Sequence, residues 1–368
     1  MKLVKRDSVM DIAKAIGIVL VVVGHSGSPF TRFIYLFHMP LFFFISGYFY
    51  NENYSDNPWK LVQKRIKSLW IPFVFYSMIF LLLHNVFCKL QIYSNNEFYK
   101  KSSYGIINTY NVQQFLNAFE KILSFERSEQ LAGALWFFLT LFIVNIIFVM
   151  ISFYIRKVTK IKYKEIVRCL FIGIFFLVGV KLYDLDVHTI KKFEVAFIAI
   201  LFFYTGYIYK RFKYKNKFNK WNLFLCFIFL IFGSFKGKID LVSNAIINPL
   251  FLIFNSYIGI YLIIGISEFL CNTKKEFKLI RYIGNNTIPI LCLHFLMFRI
   301  VNYMQVVLYN LPYYRIASHP ILNGQNGWWI LYSISGIVLP LLIKNIVLNI
   351  KRAIMNCQVK CDNSCKNA

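Results

Sequence analysis

Four ionisable side chains near the start of the chain lie within otherwise apolar sequence: Asp11, Lys14, His25 and His38. A bilayer core tolerates such groups poorly, so their presence in a membrane-spanning segment indicates a functional site. Lys14 and His25 are eleven residues apart. This is about three helical turns at 3.6 residues each, so both side chains lie on one face of a helix. The first helix therefore carries a polar stripe into the membrane.

His25 is the residue best suited to acid–base chemistry. A neutral imidazole titrates near physiological pH and accepts a hydroxyl proton, as a general base must. With Lys14 near the cytoplasmic boundary, His25 lies about 16 Å further along the helix axis, past the middle of the membrane. The alternative is a histidine that ends the helix and hydrogen-bonds a neighbouring backbone carbonyl.

Two further histidines lie in apolar sequence. His38 precedes Met39 and Pro40, and this order predicts the start of a second helix because proline suits a first helical turn. His38 either takes part in catalysis or positions that helix. A metal site on His25 and His38 has no third ligand in the local sequence, so we expect no metal. His294 is expected to be structural.

A basic segment precedes the third apolar run, where Lys60, Lys64, Arg65 and Lys67 are close together. Arginine binds phosphate through forked contacts and lysine binds it as a point charge. The segment is therefore a candidate site for a phosphorylated cytosolic ligand. The alternative is topological, because basic residues gather at the cytoplasmic ends of membrane helices and contact lipid headgroups.

The composition is that of a polytopic membrane protein. Of the 368 residues, 58% are hydrophobic and 16% are charged, whereas charged residues make up about 25% of soluble domains. Apolar runs of near-spanning length recur along the chain. The net charge of +26 does not indicate nucleic acid as a partner, because the basic residues form short clusters between apolar runs. Such clusters are typical of loops that face an anionic membrane surface.

Ten membrane spans are predicted, and no soluble domain interrupts them. They are placed at 9–28, 33–50, 68–88, 134–155, 169–183, 193–209, 221–236, 244–270, 287–308 and 326–350. Alternating loops assign 27 of the 42 lysine and arginine residues to the side of the N-terminus and 12 to the other side. This asymmetry predicts one all-α membrane helix bundle over 1–368, with both termini cytoplasmic and a cytoplasmic tail over 351–368.

Two features are expected on the non-cytoplasmic side. Residues 89–133 form the longest connection, which is long enough to cover a site or contact a substrate. Trp136 and Phe137 begin the next apolar run and are expected to belong to an interfacial aromatic belt.

The C-terminal tail carries three cysteines at a spacing that resembles a metal-binding pattern: Cys357, Cys361 and Cys365. No histidine or fourth ligand lies nearby. We therefore expect reduced thiols in a loosely ordered segment rather than a metal site.

The spacing Lys14-x10-His25 resembles the Arg/Lys-x10-His signature of the acyltransferase family 3 integral membrane O-acetylases, especially their fucose 4-O-acetylase-like branch. The run FHMPLFFFISGYFY, from Phe37 to Tyr50, resembles that family's second-helix motif almost letter for letter. Weaker similarities follow in the family's order: KRIKSLWIPF, LWFFLTLF, FFYTGYIYK and NNTIPILCLH. One departure is Ser68, because the family often has a second arginine three residues after the position of Arg65.

The resemblance implies transfer of an acetyl group from cytosolic acetyl-CoA to a sugar hydroxyl of a cell-surface glycan or its lipid-linked precursor. It also implies the inner membrane of a bacterium, with acetyl-CoA, a carbohydrate acceptor and the bilayer as partners. Such a reaction needs a base near the thioester and cations near the donor phosphates. The candidate residues form a catalytic group and a donor-binding group: His25, Lys14 and His38, and then Arg65, Lys64 and Lys67.

Two alternatives remain at this stage. Ser46 could form a covalent intermediate after activation by histidine, but small residues such as Ser46-Gly47 also let helices pack closely, and we favour that role. The chain could instead be a transporter or flippase for a polar solute, with the ionisable stripe as its path. The sequence has no internal repeat of the kind that inverted-repeat transporters contain.

Overall fold

The computed structural model describes residues 7–158, 163–187, 189, 191–212, 218–237, 239–241, 248–273 and 277–366, with side chains described as far as 355. These residues form α-helices and shorter turns, and no β-strand occurs in the described ranges. The α-helices are α1 (Ser8–His25), α2 (Thr31–Tyr35), α3 (His38–Tyr48), α4 (Pro58–Arg65), α5 (Ile71–Leu82), α6 (His84–Lys89), α7 (Val112–Leu123), α8 (Trp136–Val158), α9 (Lys164–Asp184), α10 (Phe193–Arg211), α11 (Lys220–Lys236), α12 (Pro249–Asn272), α13 (Lys278–Asn285), α14 (Thr287–Leu308) and α15 (Trp328–Lys366).

The predicted all-α, polytopic membrane bundle is confirmed. Within the described residues, eight helical segments are long and apolar enough to cross a membrane. One of them joins α4 and α5 through a π-helical turn at Ile66–Trp70. The other two predicted spans correspond to shorter helices, α3 with 11 residues and α11 with 17 residues. Helix α1 is central and contacts α2, α3, α12, α13, α14 and α15, so its buried side chains, including that of Asp11, face protein.

The predicted span 33–50 is not one continuous helix. The chain turns at Leu36 and Phe37, between α2 and α3. Pro40 has no N–H to donate to the Leu36 carbonyl, and its ring disfavours a continuous helix through that point. The Leu36 carbonyl instead accepts a hydrogen bond from Ser256 Oγ of α12, at 3.2 Å. This turn places His38 at the first residue of α3, inside the bundle.

Helices α3 and α10 pack through glycines at the point of closest approach. A Cβ atom on Gly47 would lie 1.8 Å from the Phe203 carbonyl oxygen, and one on Gly206 would lie 1.9 Å from the Phe44 carbonyl oxygen. Both clashes are with backbone, which side-chain rotation cannot relieve. The ISGY segment therefore has the packing role that the sequence favours.

Gly47→Ala is expected to destabilise the protein by about 1–3 kcal/mol or more, because overpacking forces the backbones of α3 and α10 apart. Gly173→Ala on α9 is the matched control, since nothing lies within 4 Å of a Cβ atom there. Alanine at that position should leave the apparent Tm unchanged or raise it, because it favours helix over glycine by about 1 kcal/mol. Thermal unfolding in detergent measures both variants, and equal Tm values for wild type and Gly47→Ala would contradict the prediction.

The long connection 89–133 is folded and fastened to the bundle. Its base is held by the buried pair of His84 Nδ1 and Glu129 Oε2, 2.8 Å apart. Burial opposes the charged imidazole, but hydrogen bonds to Glu129 and to the Asn108 carbonyl outweigh it and raise the pKa of His84. Further along, Tyr99 Oη donates to the Tyr314 carbonyl at 3.0 Å. The connection therefore covers one end of the bundle, near the segment before α15.

The prediction of a loosely ordered tail is wrong for the backbone, because helix α15 continues to Lys366. The segment 351–366 contains neither proline nor glycine, so nothing in its sequence ends the helix. The side chains of Cys357, Cys361 and Cys365 lie outside the described residues. The cytoplasmic location of both termini stays a prediction.

Candidate active site

Helix α1 carries Lys14 in its N-terminal half. The helix begins with Asp7 as its cap, whose side chain accepts from two backbone N–H groups. Lys14 Nζ pairs with Asp11 Oδ1 at 2.7 Å and lies 5.3 Å from the ring centre of Phe49. The Lys14 side chain keeps 26% of its surface exposed. Lys14 is therefore oriented by its partners but open to a ligand.

An internal cavity of about 220 Å³ extends from Lys14 and Arg65 into the bundle. We call it the inner cavity. Apart from the two cations, its walls are almost entirely apolar, as in pockets that hold the uncharged part of a ligand. Its lining is Lys14, Ile18, Val21, Met39, Phe42, Ile45, Ser46, Phe49, Arg65, Leu69, Phe137, Phe138, Leu141, Thr287, Ile288 and Leu291.

Arg65 is held in place by α8. Its Nε donates to Asn145 Oδ1 at 2.9 Å, and Asn145 Nδ2 donates to the Leu141 carbonyl at 2.7 Å. Asn145 is fully buried, so it fixes the guanidinium at the cavity wall instead of leaving it among lipid headgroups. The π-helical turn begins directly after Arg65, and such turns occur frequently at functional sites. Sequence reasoning did not find Asn145, which is 80 residues away along the chain.

The other two predicted donor-binding residues do not line the inner cavity. Lys64 and Lys67 are both exposed. Lys64 Nζ donates to Tyr54 Oη at 3.1 Å. These lysines therefore lie on the exposed face of the helical segment that carries Arg65, where they can attract an anion before it reaches the inner cavity.

His25 and His38 are brought together at a second, smaller cavity of about 40 Å³, which we call the outer cavity. Tyr35 Oη and His25 Nδ1 are hydrogen-bonded at 3.1 Å. His38 Nδ1 donates to the Ile34 carbonyl at 3.0 Å, and His38 is 4% exposed. The cavity has room for a hydroxyl group or a water. Its lining is His25, Tyr35, His38, Met39, Pro40, Trp136, Ile239, Asp240 and Leu241.

His294, which the sequence analysis treats as structural, lies against the candidate base. Its ring stacks on His25 with centroids 5.5 Å apart and an interplanar angle of 21°. Its Nδ1 donates to the carbonyls of Ile290 and Leu291, and its buried Nε2 has no hydrogen-bond partner among the described residues. Carbonyl oxygens only accept, so the proton is on Nδ1 and Nε2 carries a lone pair. His294 thus limits where the His25 ring can lie.

Met39 lines both cavities. One cavity contains Lys14 and Arg65, and the other contains His25 and His38. Met39 is thus part of the wall of both the cavity with two cations and the cavity with two histidines. A methionine side chain is unbranched and flexible, so it can move aside for a ligand.

A family model described as an acyltransferase domain, that of acyltransferase family 3, matches residues 7–344. The chain belongs to this acyltransferase family. The match includes α1 to α14 and the first half of α15, so both cavities lie inside the acyltransferase domain. No curated protein and no solved structure matches the chain.

The expectation of an interfacial aromatic belt is wrong for Phe137, which is buried, whereas for the partly buried Trp136 it stays a prediction. Trp136 lines the outer cavity and Phe137 lines the inner cavity. Phe137 is also in ring contact with Phe42 and Phe43 of α3. The start of α8 therefore faces the site, because the connection before it folds over the bundle end and buries this turn.

Sequence reasoning also missed Tyr35 and Asp240, which line the outer cavity. Tyr35 lies ten residues after His25, and a tyrosine in apolar sequence gives no signal of its own. Asp240 is one of only 16 acidic residues, and a carboxylate near predicted spans is the signal that could have found it. Among the described residues, no group of three or more His, Cys, Asp or Glu side chains could hold a metal ion.

Proposed function

We propose that this acyltransferase moves an acetyl group from cytosolic acetyl-CoA to a sugar hydroxyl of a cell-surface glycan or its precursor. The observation that carries the proposal is Met39, which lies between the cationic inner cavity and the histidine-lined outer cavity. A donor that enters from inside and an acceptor that enters from outside can meet there. We place the enzyme in the cytoplasmic membrane of a bacterium.

The inner cavity fits the chemistry of the donor. Lys14 and Arg65 at its entrance match the phosphates of CoA, which charged hydrogen bonds hold well. Lys64 and Lys67 add positive charge outside it. The thin acyl-carrying arm of CoA would lie between the aromatic walls, with the thioester near Met39. We further propose the fucose 4-O-acetylase-like branch, on the strength of the HMPLFFFISGY motif.

In the proposed reaction, His25 takes the proton of the sugar hydroxyl as its oxygen attacks the thioester carbonyl carbon. The carbon–sulfur bond then breaks, and His25 returns the proton to the leaving sulfur, which gives free CoA and the acetyl ester. The hydrogen bond with Tyr35 holds the imidazole in one orientation, which supports such proton transfer. Ser46 lines the inner cavity and His25 the outer one, which favours direct transfer over an acyl-serine.

Purified protein should release free CoA from acetyl-CoA in the presence of envelope glycan and should acetylate that glycan. Met39→Trp is expected to lower this rate by about tenfold or more, because a bulkier side chain closes the passage and a 1 Å misplacement can cost 10²-fold. Met39→Ala should raise the rate with butyryl-CoA relative to acetyl-CoA, because it enlarges the space for the acyl group. Thiol release and mass spectrometry of the glycan measure both effects.

Met150→Trp is the matched control, because Met150 is 37% exposed on α8 and lines neither cavity. It should retain wild-type rates with both donors. Wild-type rates in Met39→Trp would remove the passage between the cavities from the mechanism. A purified protein that never consumes acetyl-CoA, with any glycan, would refute acetyl-CoA as the acyl donor.

A further inference from the structure

A third, larger cavity of about 730 Å³ opens on the outer half of the bundle, between the end of α6 and one face of α14. We call it the lateral groove. Leu90, Ile300 and Tyr303 in its wall are 59%, 46% and 50% exposed. In a membrane bundle such apolar, exposed side chains face hydrocarbon, so the groove opens toward lipid. Its lining is Lys89, Leu90, Gln91, Ile92, Leu296, Met297, Arg299, Ile300, Tyr303, Tyr313 and Ile316.

Arg299 lies in this wall although it is only 3% exposed. Its Nη1 donates to the Ser318 carbonyl and its Nη2 donates to Gln130 Oε1 at 2.8 Å. Its Nε has no hydrogen-bond partner among the described residues, and none of their carboxylates forms an ion pair with it. A buried, uncompensated cation at membrane depth is costly and indicates a functional site for an anion.

A chain of side-chain contacts connects the lateral groove to His25, the candidate base. Arg299 Nη2 and His319 Nδ1 are 3.2 Å apart. Phe295 lies 4.7 Å from the ring of His319 and 5.0 Å from that of His25. Burial, and after it the nearby charge of Arg299, lowers the pKa of His319 well below its usual value. His319 is thus neutral and accepts from Arg299, which leaves the arginine charge for another partner.

We propose that the lateral groove binds the acceptor as an anionic lipid, a polyprenyl phosphate that carries the sugar. The hydrocarbon chain would lie against Leu90, Ile300 and Tyr303, and the phosphate would lie between Lys89 and Arg299. The volume is in the range that pockets use for ligands of drug size. The role of the bound sugar as acceptor rests on the proposed function. The binding of the lipid to the groove does not depend on the proposed function.

The test is binding of a polyprenyl phosphate to the purified full-length protein by native mass spectrometry, without any acyl donor. Ile300→Trp should weaken binding by about tenfold, which corresponds to 1.4 kcal/mol, because the indole fills the groove. Lys89→Gln should weaken binding and reduce its sensitivity to salt, because an exposed phosphate contact is screened. Ile334→Trp is the matched control: Ile334 is 52% exposed on α15, outside the groove, and should bind as wild type does.

Equal binding by wild type and Ile300→Trp would overturn the proposal. Equal binding of the uncharged polyprenol would also overturn it. Displacement of the polyprenyl phosphate by an equal amount of phosphatidylglycerol would overturn it as well, because the groove would then be a general phospholipid site. Displacement by inorganic phosphate at similar concentration would show that the chain is not recognised and would also overturn it. Lipid binding that follows the expected pattern, in a protein that consumes no acetyl-CoA, would support the lipid site and refute the transferase chemistry.

Discussion

His25→Ala is expected to reduce acetyl transfer by about 10²–10⁴-fold, the usual loss when a general base is removed. The reason is that His25 lines the outer cavity beside Met39, with Tyr35 fixing its ring. A base acts in the transition state, so membrane insertion and acetyl-CoA binding should remain. Steady-state kinetics and isothermal binding of acetyl-CoA to the purified variant separate these two quantities.

The pH profile adds a second readout. The wild-type rate should fall toward acidic pH, because a protonated imidazole cannot accept a proton. His38→Ala is the control: its ring holds the Ile34 carbonyl at the turn into α3, so we expect a partial defect with the acid-side titration retained. If His25→Ala keeps near-normal transfer while His38→Ala or His294→Ala is inactive, the base is misassigned. If all three variants stay active, the histidine mechanism fails.

Arg65→Ala is expected to raise the KM for acetyl-CoA by about tenfold to a hundredfold, because hydrogen bonds to charged groups contribute about 1.5–3 kcal/mol. Its effect on kcat should be smaller, since a phosphate contact is present in both the ground state and the transition state. Lys14→Ala should weaken donor binding as well. Initial rates over a range of acetyl-CoA concentrations and ionic strengths measure the change, and the wild-type KM should rise with salt.

Lys67→Ala is the matched control for Arg65→Ala. Both residues lie in the same basic segment, but Lys67 is exposed and does not line the inner cavity. It should change the KM by a small factor only. Donor affinity that is unchanged in folded Arg65→Ala protein would move the nucleotide site to another basic loop, with 210–220 as the next candidate.

These experiments together test a route with two entrances. The donor would reach Met39 from the cytoplasmic end, past Lys14 and Arg65. The acceptor would approach from the outer half of the bundle, past Arg299. Under the proposed function, such an arrangement would keep a cytosolic thioester and an outer glycan on opposite sides until they react. It also explains why ionisable residues occur at several depths of the bundle.

Features that depend on local interactions could be predicted from the sequence. Apolar runs predict membrane helices because each helix satisfies its own backbone hydrogen bonds within lipid. The 3.6-residue period puts Lys14 and His25 on one face of α1 without reference to any other helix. Pro40 indicates the start of α3 because proline lacks the backbone N–H that would continue a preceding helix, and this effect is confined to proline and its neighbours. The family resemblance rests on these same short segments, and residues 7–344 match the family model.

Which of these side chains contact one another depends on helix packing and could not be predicted from the sequence. Arg65 is fixed by Asn145, 80 residues away, and His25 stacks on His294 of α14. Met39 lines both cavities because the chain turns at Phe37, after which α3 packs beside α1 and its Phe42 and Phe43 rings contact Phe137 of α8. Contacts of this kind depend on how rigid helices pack together. Glycines such as Gly47 allow two helices to approach closely and so determine that packing. Hydropathy and periodicity describe one helix at a time, so they carry no information about its neighbours.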